Sequence, residues 1–445
     1  MGLINKTGYS YNDLTIIPES ISTINSRLEC DPFLEDTDSF LPIFTAPMAS
    51  VVNDKNIVDF LHNGIIPILP RNIDLEIRKE EMLIDDTWVA LSLKEFNDLF
   101  INYANEREKH ITYNICVDIA NGHMQSLYLK CHEAKKLAIK YEYKLTIMTG
   151  NIANPKTYRW ICDLNYTSKA RVIDYIRVGI GGGSGCITTS NVSIHYPQAS
   201  LIDECYKEKK NAKTLRDNLG EPKYDESLFP KIVADGGIRN YDHVIKALAL
   251  GADYVMVGSL FAQCIESAGE KILKNDNDER QYIDLNNYEN FEIINKKWYA
   301  QYKDNYITNL LNENEQNEYE KFQTINSEYF DIDFKNNPKY KMEQLKYLFK
   351  YANLKQQQYL GNIEVKFFGM ASADGQKSIN GKKTKTSEGI TKYLPVKYTL
   401  KCWVDNMISY LRSAMSYTNC LTLNEFIGTP QLIINSISEI NAVNK

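Results

Sequence analysis

The feature that most constrains this chain is a series of eight short apolar runs separated by helix-like stretches. They are Leu41-Pro-Ile-Phe-Thr-Ala, Ile65-Ile-Pro-Ile-Leu, Trp88-Val-Ala-Leu-Ser, Ile111-Thr-Tyr-Asn-Ile-Cys-Val, Leu145-Thr-Ile-Met, Tyr175-Ile-Arg-Val, Ile232-Val-Ala and Tyr254-Val-Met-Val. All but the third, which ends in Ser92, are closed by Gly, Pro, Asp or Asn, as buried parallel strands are. The stretches between them carry helical spacing. In Asn56-Ile-Val-Asp-Phe-Leu, residues Ile57, Phe60 and Leu61 share a face and Gly64 ends the helix. Tyr241 to Gly251 repeats the arrangement, and a last helix is expected over about 402–417. Eight alternating units predict an α/β fold, a (β/α)8 barrel. The alternative, a doubly wound open sheet, usually shows fewer repeats and a Gly-x-Gly-x-x-Gly turn after its first strand. Here Ala46-Pro-Met follows instead.

The pattern breaks over residues 271–362, a polar stretch rich in Asn, Tyr and Lys. The barrel is therefore assigned to residues 1–270 and 363–445, with 271–362 an insertion expected to be helical. Because the insertion follows the eighth strand, it leaves from the face of the barrel where active sites lie. A solvated decoration, a lid and an oligomer contact all fit its composition. From Phe367 to Gly389 a Gly/Lys/Ser-rich stretch shows no periodicity and reads as a functional loop.

Composition excludes several classes. Of 445 residues 43% are hydrophobic and 24% charged, which suits a globular protein and not a disordered one. Net charge is -6 without a long basic block, so no nucleic-acid partner is expected. Nine cysteines stand singly, with no Cys-x-x-Cys, which argues against a disulfide framework or structural zinc. No apolar run reaches the roughly 18 residues of a membrane span. The first residues carry no signal-peptide core, and Lys6 stands where myristoylation wants Ser or Thr. A cytoplasmic protein with no membrane partner is expected.

On a barrel the residues after each strand carry function. Asp118, Asn121, Asn151 and Asp235 all fall at that end, beyond what structural turns require. Gly236, Gly237, Gly258 and Ser259 follow the seventh and eighth strands, the usual phosphate position of this fold, where backbone N–H groups can receive an anion. After the sixth strand comes Gly179-Ile-Gly-Gly-Gly-Ser-Gly-Cys-Ile-Thr-Thr. Its glycines permit positive φ and close backbone approach, and inward carbonyls could hold a monovalent cation. A cysteine at the tip of such a loop, Cys186, is reachable as a nucleophile.

These residues resemble the IMP dehydrogenase/GMP reductase barrels. The resemblance covers most of the chain outside the insertion and runs through Tyr11-Asn-Asp-Leu-Thr-Ile-Ile-Pro, Gly179–Thr189, Ala234-Asp-Gly-Gly-Ile, Val257-Gly-Ser, Phe368-Gly-Met, Ser387-Glu-Gly and Leu411-Arg-Ser, in the family's order. It implies a purine nucleotide substrate, attacked at C2 by Cys186 to give a covalent thioimidate. Ser184 and Asp235 would hold the ribose, Gly237, Gly258 and Ser259 the phosphate, and Met370 the base. Thr188 and Glu388 would help with protons. Asp118, Asn121 and Asn151 would face the nicotinamide cofactor. Carbonyls of Gly181, Gly183 and Cys186 would surround a monovalent cation, potassium. A homo-oligomer, a tetramer, is implied as well.

The resemblance is closer to GMP reductase. Family dehydrogenases use an Arg-Tyr pair on a long mobile flap, whereas the stretch from Met370 to Glu388 is short and has no arginine. Val117-Asp-Ile-Ala-Asn-Gly, Tyr196-Pro-Gln and Phe368 before Gly-Met also look like the reductase. Ala234-Asp-Gly-Gly-Ile-Arg and Met256-Val-Gly-Ser look like the dehydrogenase. Arg71 stands where both usually show lysine or histidine, and the short stretch from Trp88 to Ile111 leaves no room for the dehydrogenases' regulatory CBS module. The expected reaction is reductive deamination of GMP to IMP and ammonia with NADPH or NADH. The alternatives are oxidation of IMP to XMP with NAD, or a silent barrel that binds purine nucleotides and regulates a partner.

Overall fold

A computed structural model of the protein describes residues 6–35, 39–84, 86–183, 187–215, 225–274, 280–283, 363–383 and 386–436. After a short strand β1 (Leu14–Ile16), eight parallel strands form its centre. They are β2 (Ile43–Thr45), β3 (Ile68–Leu69), β4 (Trp88–Leu91), β5 (Thr112–Asp118), β6 (Lys144–Ile152), β7 (Tyr175–Val178), β8 (Lys231–Asp235) and β9 (Tyr254–Val257). Each coincides with one of the eight apolar runs. The sheet order is β2-β9-β8-β7-β6-β5-β4-β3, leaving β2 and β3 as its two ends. Ile66 joins them: Thr45 N–H donates to its carbonyl at 2.9 Å, and its own N–H donates to Ile43 at 3.0 Å. The buried Thr45 hydroxyl then accepts from Ile68 N–H at 2.8 Å. The sheet is thereby closed into the expected (β/α)8 barrel.

The outer ring contains α1 (Ile57–His62), α2 (Leu75–Glu81), α3 (Leu93–Asn97), α4 (Gln125–Lys140), α5 (Pro155–Ser168), then, past the short α6 (Thr188–Val192), α7 (Gln198–Thr214) and α8 (Tyr241–Ala249). Their starts follow from local chemistry. Asp74 caps α2, Ser92 caps α3 with Glu95 reaching back, and Asn154 caps α5 with Pro155 at the first turn. Only α3 and short turns lie between β4 and Ile111, so no further module is inserted there.

After β9 and the single turn α9 (Ser259–Ala262), the chain makes an excursion before the ring is completed. The expectation of a helical insertion is corrected where its residues are described: 271–274 and 280–283 form strands β10 (Lys271–Lys274) and β11 (Arg280–Ile283). Strand pairing decides this. β10 lies antiparallel to both β11 and β12 (Ile363–Phe368), with Lys271 opposite Val365. On β12, Ile363, Val365 and Phe367 are buried in strict alternation, which gives β10 an apolar edge to join. Residues 275–279 and 284–362, the remainder of the insertion, lie outside the described residues. The stretch from 367 to 389 is not patternless either. It contains the end of β12 and a helix, α10 (Ala373–Asn380), capped by Ser372 and ended by Gly381 at φ +69°. The helix is short and polar, so its period is hidden. β13 (Thr391–Pro395) then pairs with β12.

The ring closes with α11 (Leu400–Tyr417), as expected. Its Trp403 is fully buried, stacked on Tyr241 of α8 at 5.3 Å and set edge-on to Phe261 of α9 at 4.8 Å. After α12 (Leu423–Phe426), β14 (Leu432–Ile434) pairs antiparallel with β1.

The barrel interior is layered. Its floor is aromatic: Phe44, Trp88, Tyr175 and Tyr254 make ring contacts of 5.1–5.9 Å across the lumen. Ile68, Cys116, Met148, Val233 and Met256 also line the interior. The lumen is therefore a packed core, and polar chemistry is confined to the C-terminal mouth.

Thr45→Val should test the closing seam. It keeps shape but leaves Ile68 N–H buried without its partner, at a cost of about 1–3 kcal/mol. A lower urea midpoint for Thr45→Val, with Thr45→Ser close to wild type, is the expected result.

Candidate active site

At the mouth stands a residue that the sequence reading left inside an apolar strand. Arg177, near the end of β7, is 8% exposed and faces inward. Its Nη1 donates to Asp118 Oδ1 at 2.7 Å, and its Nε and Nη2 both reach Asp235 Oδ2 at 2.9 Å. Asn151 donates to the same Asp235 oxygen at 2.6 Å and to the Gly179 carbonyl at 2.7 Å. Arg71 completes the set, with Nη1 3.3 Å from the Asp118 carbonyl and 3.7 Å from its carboxylate. Four strand ends, β5 to β8, are thus tied together through one guanidinium. Burial works against the charge of Arg177, but the carboxylates of Asp235 and Asp118 outweigh it and hold the group well above its ordinary pKa. Cys116 lies 3.7 Å beneath Arg177, and burial pushes its thiol up to about 12, so it stays protonated.

The glycines at the mouth make close approach possible. A side chain at Gly150 would come within 2.6 Å of the Arg177 carbonyl on the neighbouring strand. Gly182 and Gly183 of the β7 loop lie against Gly236 and Gly237 of the β8 loop. Met48, in the loop after β2, leans over Gly258, and Met370 receives the Ala49 N–H at 3.5 Å. The base, phosphate and ribose residues expected from the sequence, Met370, Gly237, Gly258, Ser259 and Asp235, all sit at this one rim or in its loops.

Other expected residues divide. Thr188 and Glu388 meet: the Thr188 hydroxyl is 3.5 Å from Glu388 Oε2, and Ile187 N–H donates to the Glu388 carbonyl at 3.0 Å. Asp118 and Asn151 join the arginine network, while exposed Asn121 turns back to accept from His123 N–H at 3.0 Å. The Gly181 carbonyl accepts from the Thr189 hydroxyl at 3.1 Å. Ser184 and Cys186 lie outside the described residues.

Sequence reasoning missed Arg177, His123, Gln198 and His243. For Arg177 the signal was present, a lone charge in a barrel strand. Gln198, the first residue of α7, donates to the Val178 carbonyl at 2.7 Å and so fixes the start of the glycine loop. His123 bridges the loops after β5 and β6: Nε2 accepts from Ala153 N–H at 3.1 Å, leaving Nδ1–H for the Thr157 hydroxyl at 3.0 Å.

The fold and site define a class: a (β/α)8 barrel whose mouth combines an arginine–carboxylate network, facing glycine loops and a threonine–glutamate pair. Residues 101–316 match the model of the IMP dehydrogenase / GMP reductase domain. The chain is 28% identical over 323 residues to a GMP reductase of Staphylococcus saprophyticus, covering 69% of this chain and 88% of that protein. It is 28% identical over 311 residues to a GMP reductase of Clostridium acetobutylicum, with 66% and 84% covered. It is 24% identical over 352 residues to an inosine-5'-monophosphate dehydrogenase of Borreliella burgdorferi, with 70% and 83% covered. Over these residues the chain is similar to the IMP dehydrogenase/GMP reductase family.

Two outcomes test this geometry. Arg177→Met leaves the half-buried Asp118 and Asp235 without their buried cation, and breaking a fully buried pair costs about 3–5 kcal/mol, an upper bound here. Its urea midpoint should fall further than that of Asp118→Asn. Burial holds the His123 pKa below its ordinary value near 6.5. A lowered histidine pKa stabilises the fold fully above that ordinary value and ceases to as pH falls through the lowered one. The amide protection factor of Ala153 should therefore drop between pH 7.5 and pH 5 in wild type, and His123→Phe should abolish that pH dependence.

Proposed function

We propose that this chain reductively deaminates GMP: GMP, NADPH and a proton give IMP, NADP and ammonia. The observation that carries the reading is the meeting of Thr188 and Glu388, 200 positions apart, at the foot of the Cys186 loop. In this reading the Cys186 thiolate adds to purine C2. The 2-amino group leaves as ammonia, and hydride at C2 followed by release of the thiolate completes IMP. An amide anion is too poor a leaving group to depart unaided. Thr188 and Glu388 supply its proton, and a positioned acid contributes about 10²–10⁴-fold.

Ser184 and Asp235 hold the ribose. Because Arg177 and Asn151 both bind Asp235 through Oδ2, its Oδ1 is the oxygen for a ribose hydroxyl. Gly237, Gly258 and Ser259 take the phosphate, and Met370 packs on the base. The rim residues fit a nicotinamide dinucleotide, whose chemistry when bound is hydride donation. Asp118, Asn121 and Asn151 face it. Beside Asp118, Arg71 Nε and Asn72 Oδ1 are buried without partners among the described residues, next to a cavity of about 390 Å³ between α2, α3 and α10. Carbonyls of Gly181, Gly183 and Cys186 suit a monovalent cation such as potassium, with Gly181 sharing its oxygen with Thr189. Assembly as a cytoplasmic homotetramer accompanies this reading.

The absence of arginine between Met370 and Glu388 supports reduction over oxidation. GMP with NADPH should consume the reduced nicotinamide steadily and release ammonia. IMP with NAD should stop after at most one hydride transfer per site. Sustained XMP formation would establish the dehydrogenase reading instead, and binding of purine nucleotides without turnover the silent one. Cys186→Ala should still bind GMP by calorimetry yet lose turnover; activity within about tenfold of wild type rules out the thioimidate.

A further inference from the structure

We propose that His243 is a positioning residue for the nucleotide phosphate: its Nδ1 edge fixes the peptide plane between Gly237 and Ile238, so that the loop's N–H groups are set for an anion before it arrives. The inference rests on the reading above, in which the loops after β8 and β9 take the phosphate. His243 lies on α8, 3% exposed, directly behind the β8 loop. Its Nδ1–H donates to the Gly237 carbonyl at 2.9 Å, which leaves that nitrogen no lone pair for the Arg239 N–H 3.2 Å away. Its Nε2 is 2.7 Å from the Asn12 side-chain amide, whose NH2 donates to it when turned inward, and the Tyr11 ring covers it at 5.4 Å between centroids.

The loop needs such an anchor. Gly237 has φ +75°, yet a side chain there would meet nothing nearer than 3.7 Å. It is glycine for its backbone angle and not for want of room, and without a side chain nothing of its own holds the peptide in place. In a trans peptide the carbonyl and the following N–H point opposite ways. A Gly237 carbonyl held toward His243 therefore turns Ile238 N–H away from α8, toward the other side of the loop. Among the described residues, none accepts from the N–H of Gly236, Gly237 or Ile238. Donors that the described residues leave open, on a fixed backbone, are what an anion site requires, because a mobile loop would lose affinity to the cost of ordering it.

The two edges of the imidazole can be replaced separately. The asparagine amide reaches the place of Nδ1, and the glutamine amide the place of Nε2. By isothermal titration, His243→Gln should bind GMP about tenfold more weakly, the loss of one good hydrogen bond's worth of preorganisation, and His243→Asn within about threefold of wild type. Guanosine, which lacks the phosphate, should bind both variants as it binds wild type. In turnover the glutamine variant should raise KM for GMP and leave kcat at saturation. Asn12→Ala removes only the Nε2 partner and should behave like His243→Asn, which keeps the test decisive if the glutamine variant does not fold. Equal weakening by Asn and Gln in step with lost thermal stability, equal loss of guanosine and GMP binding, or a tenfold loss in Asn12→Ala would each overturn the inference. A wild-type protein that binds guanosine as tightly as GMP overturns the phosphate reading itself, and the inference with it.

Discussion

The mouth of this barrel depends on a single buried cation. Arg177 reaches up from β7 with Asp118 on one side and Asp235 on the other, and Asn151 is held through the second carboxylate. A guanidinium suits the position because its planar fork satisfies two carboxylates in fixed directions, whereas an ammonium would serve as one point charge. Desolvating three charges is costly, and the arrangement is tolerable only because each is paired and hydrogen-bonded. What it secures is geometry. The ends of β5, β6, β7 and β8 are set relative to one another, and the loops that follow them inherit that register.

The lower half of the barrel makes this possible by being inert. Four aromatic rings fill the floor, with Cys116, Met148, Val233 and Met256 also in the lumen. Water is kept from the underside of Arg177, which strengthens its electrostatic hold on both carboxylates. Stability and reactivity are thereby separated along one axis.

The sequence made the strands legible because each is a short apolar run, nearly all punctuated by Gly, Pro, Asp or Asn, and such patterning needs no tertiary information. The closing helix was legible for the same reason. Tertiary pairing was not. Nothing in Lys271-Ile-Leu-Lys taken alone announces a strand; it becomes one because β12 offers an alternating edge about 90 positions later, and long-range pairing leaves little local trace. Helix α10 was hidden by brevity and polarity. At the site, glycine loops and rim carboxylates could be read because those residue types have few structural reasons to gather at strand ends. Arg177, His243 and His123 could not, because their roles lie in what they touch across the fold, which spacing does not encode.

The pairing of β1 with β14 has a consequence for how the molecule is made. Thr15 bonds to Asn435 across 420 positions of chain, and the segment that β1 anchors also carries Tyr11 and Asn12 behind the β8 loop. A chain emerging from the ribosome at roughly 5–20 residues per second has all eight barrel strands long before the partner of β1 exists. For tens of seconds the nascent protein has a barrel in outline, but neither the Trp403 wedge that completes its ring nor the tether that holds Asn12 against His243. A stretch synthesised late therefore locks one synthesised early, and a product cut before β14 would carry the strand ends without the backing of their loop. The pairing of β14 with β1 and the completion of the site become the same event.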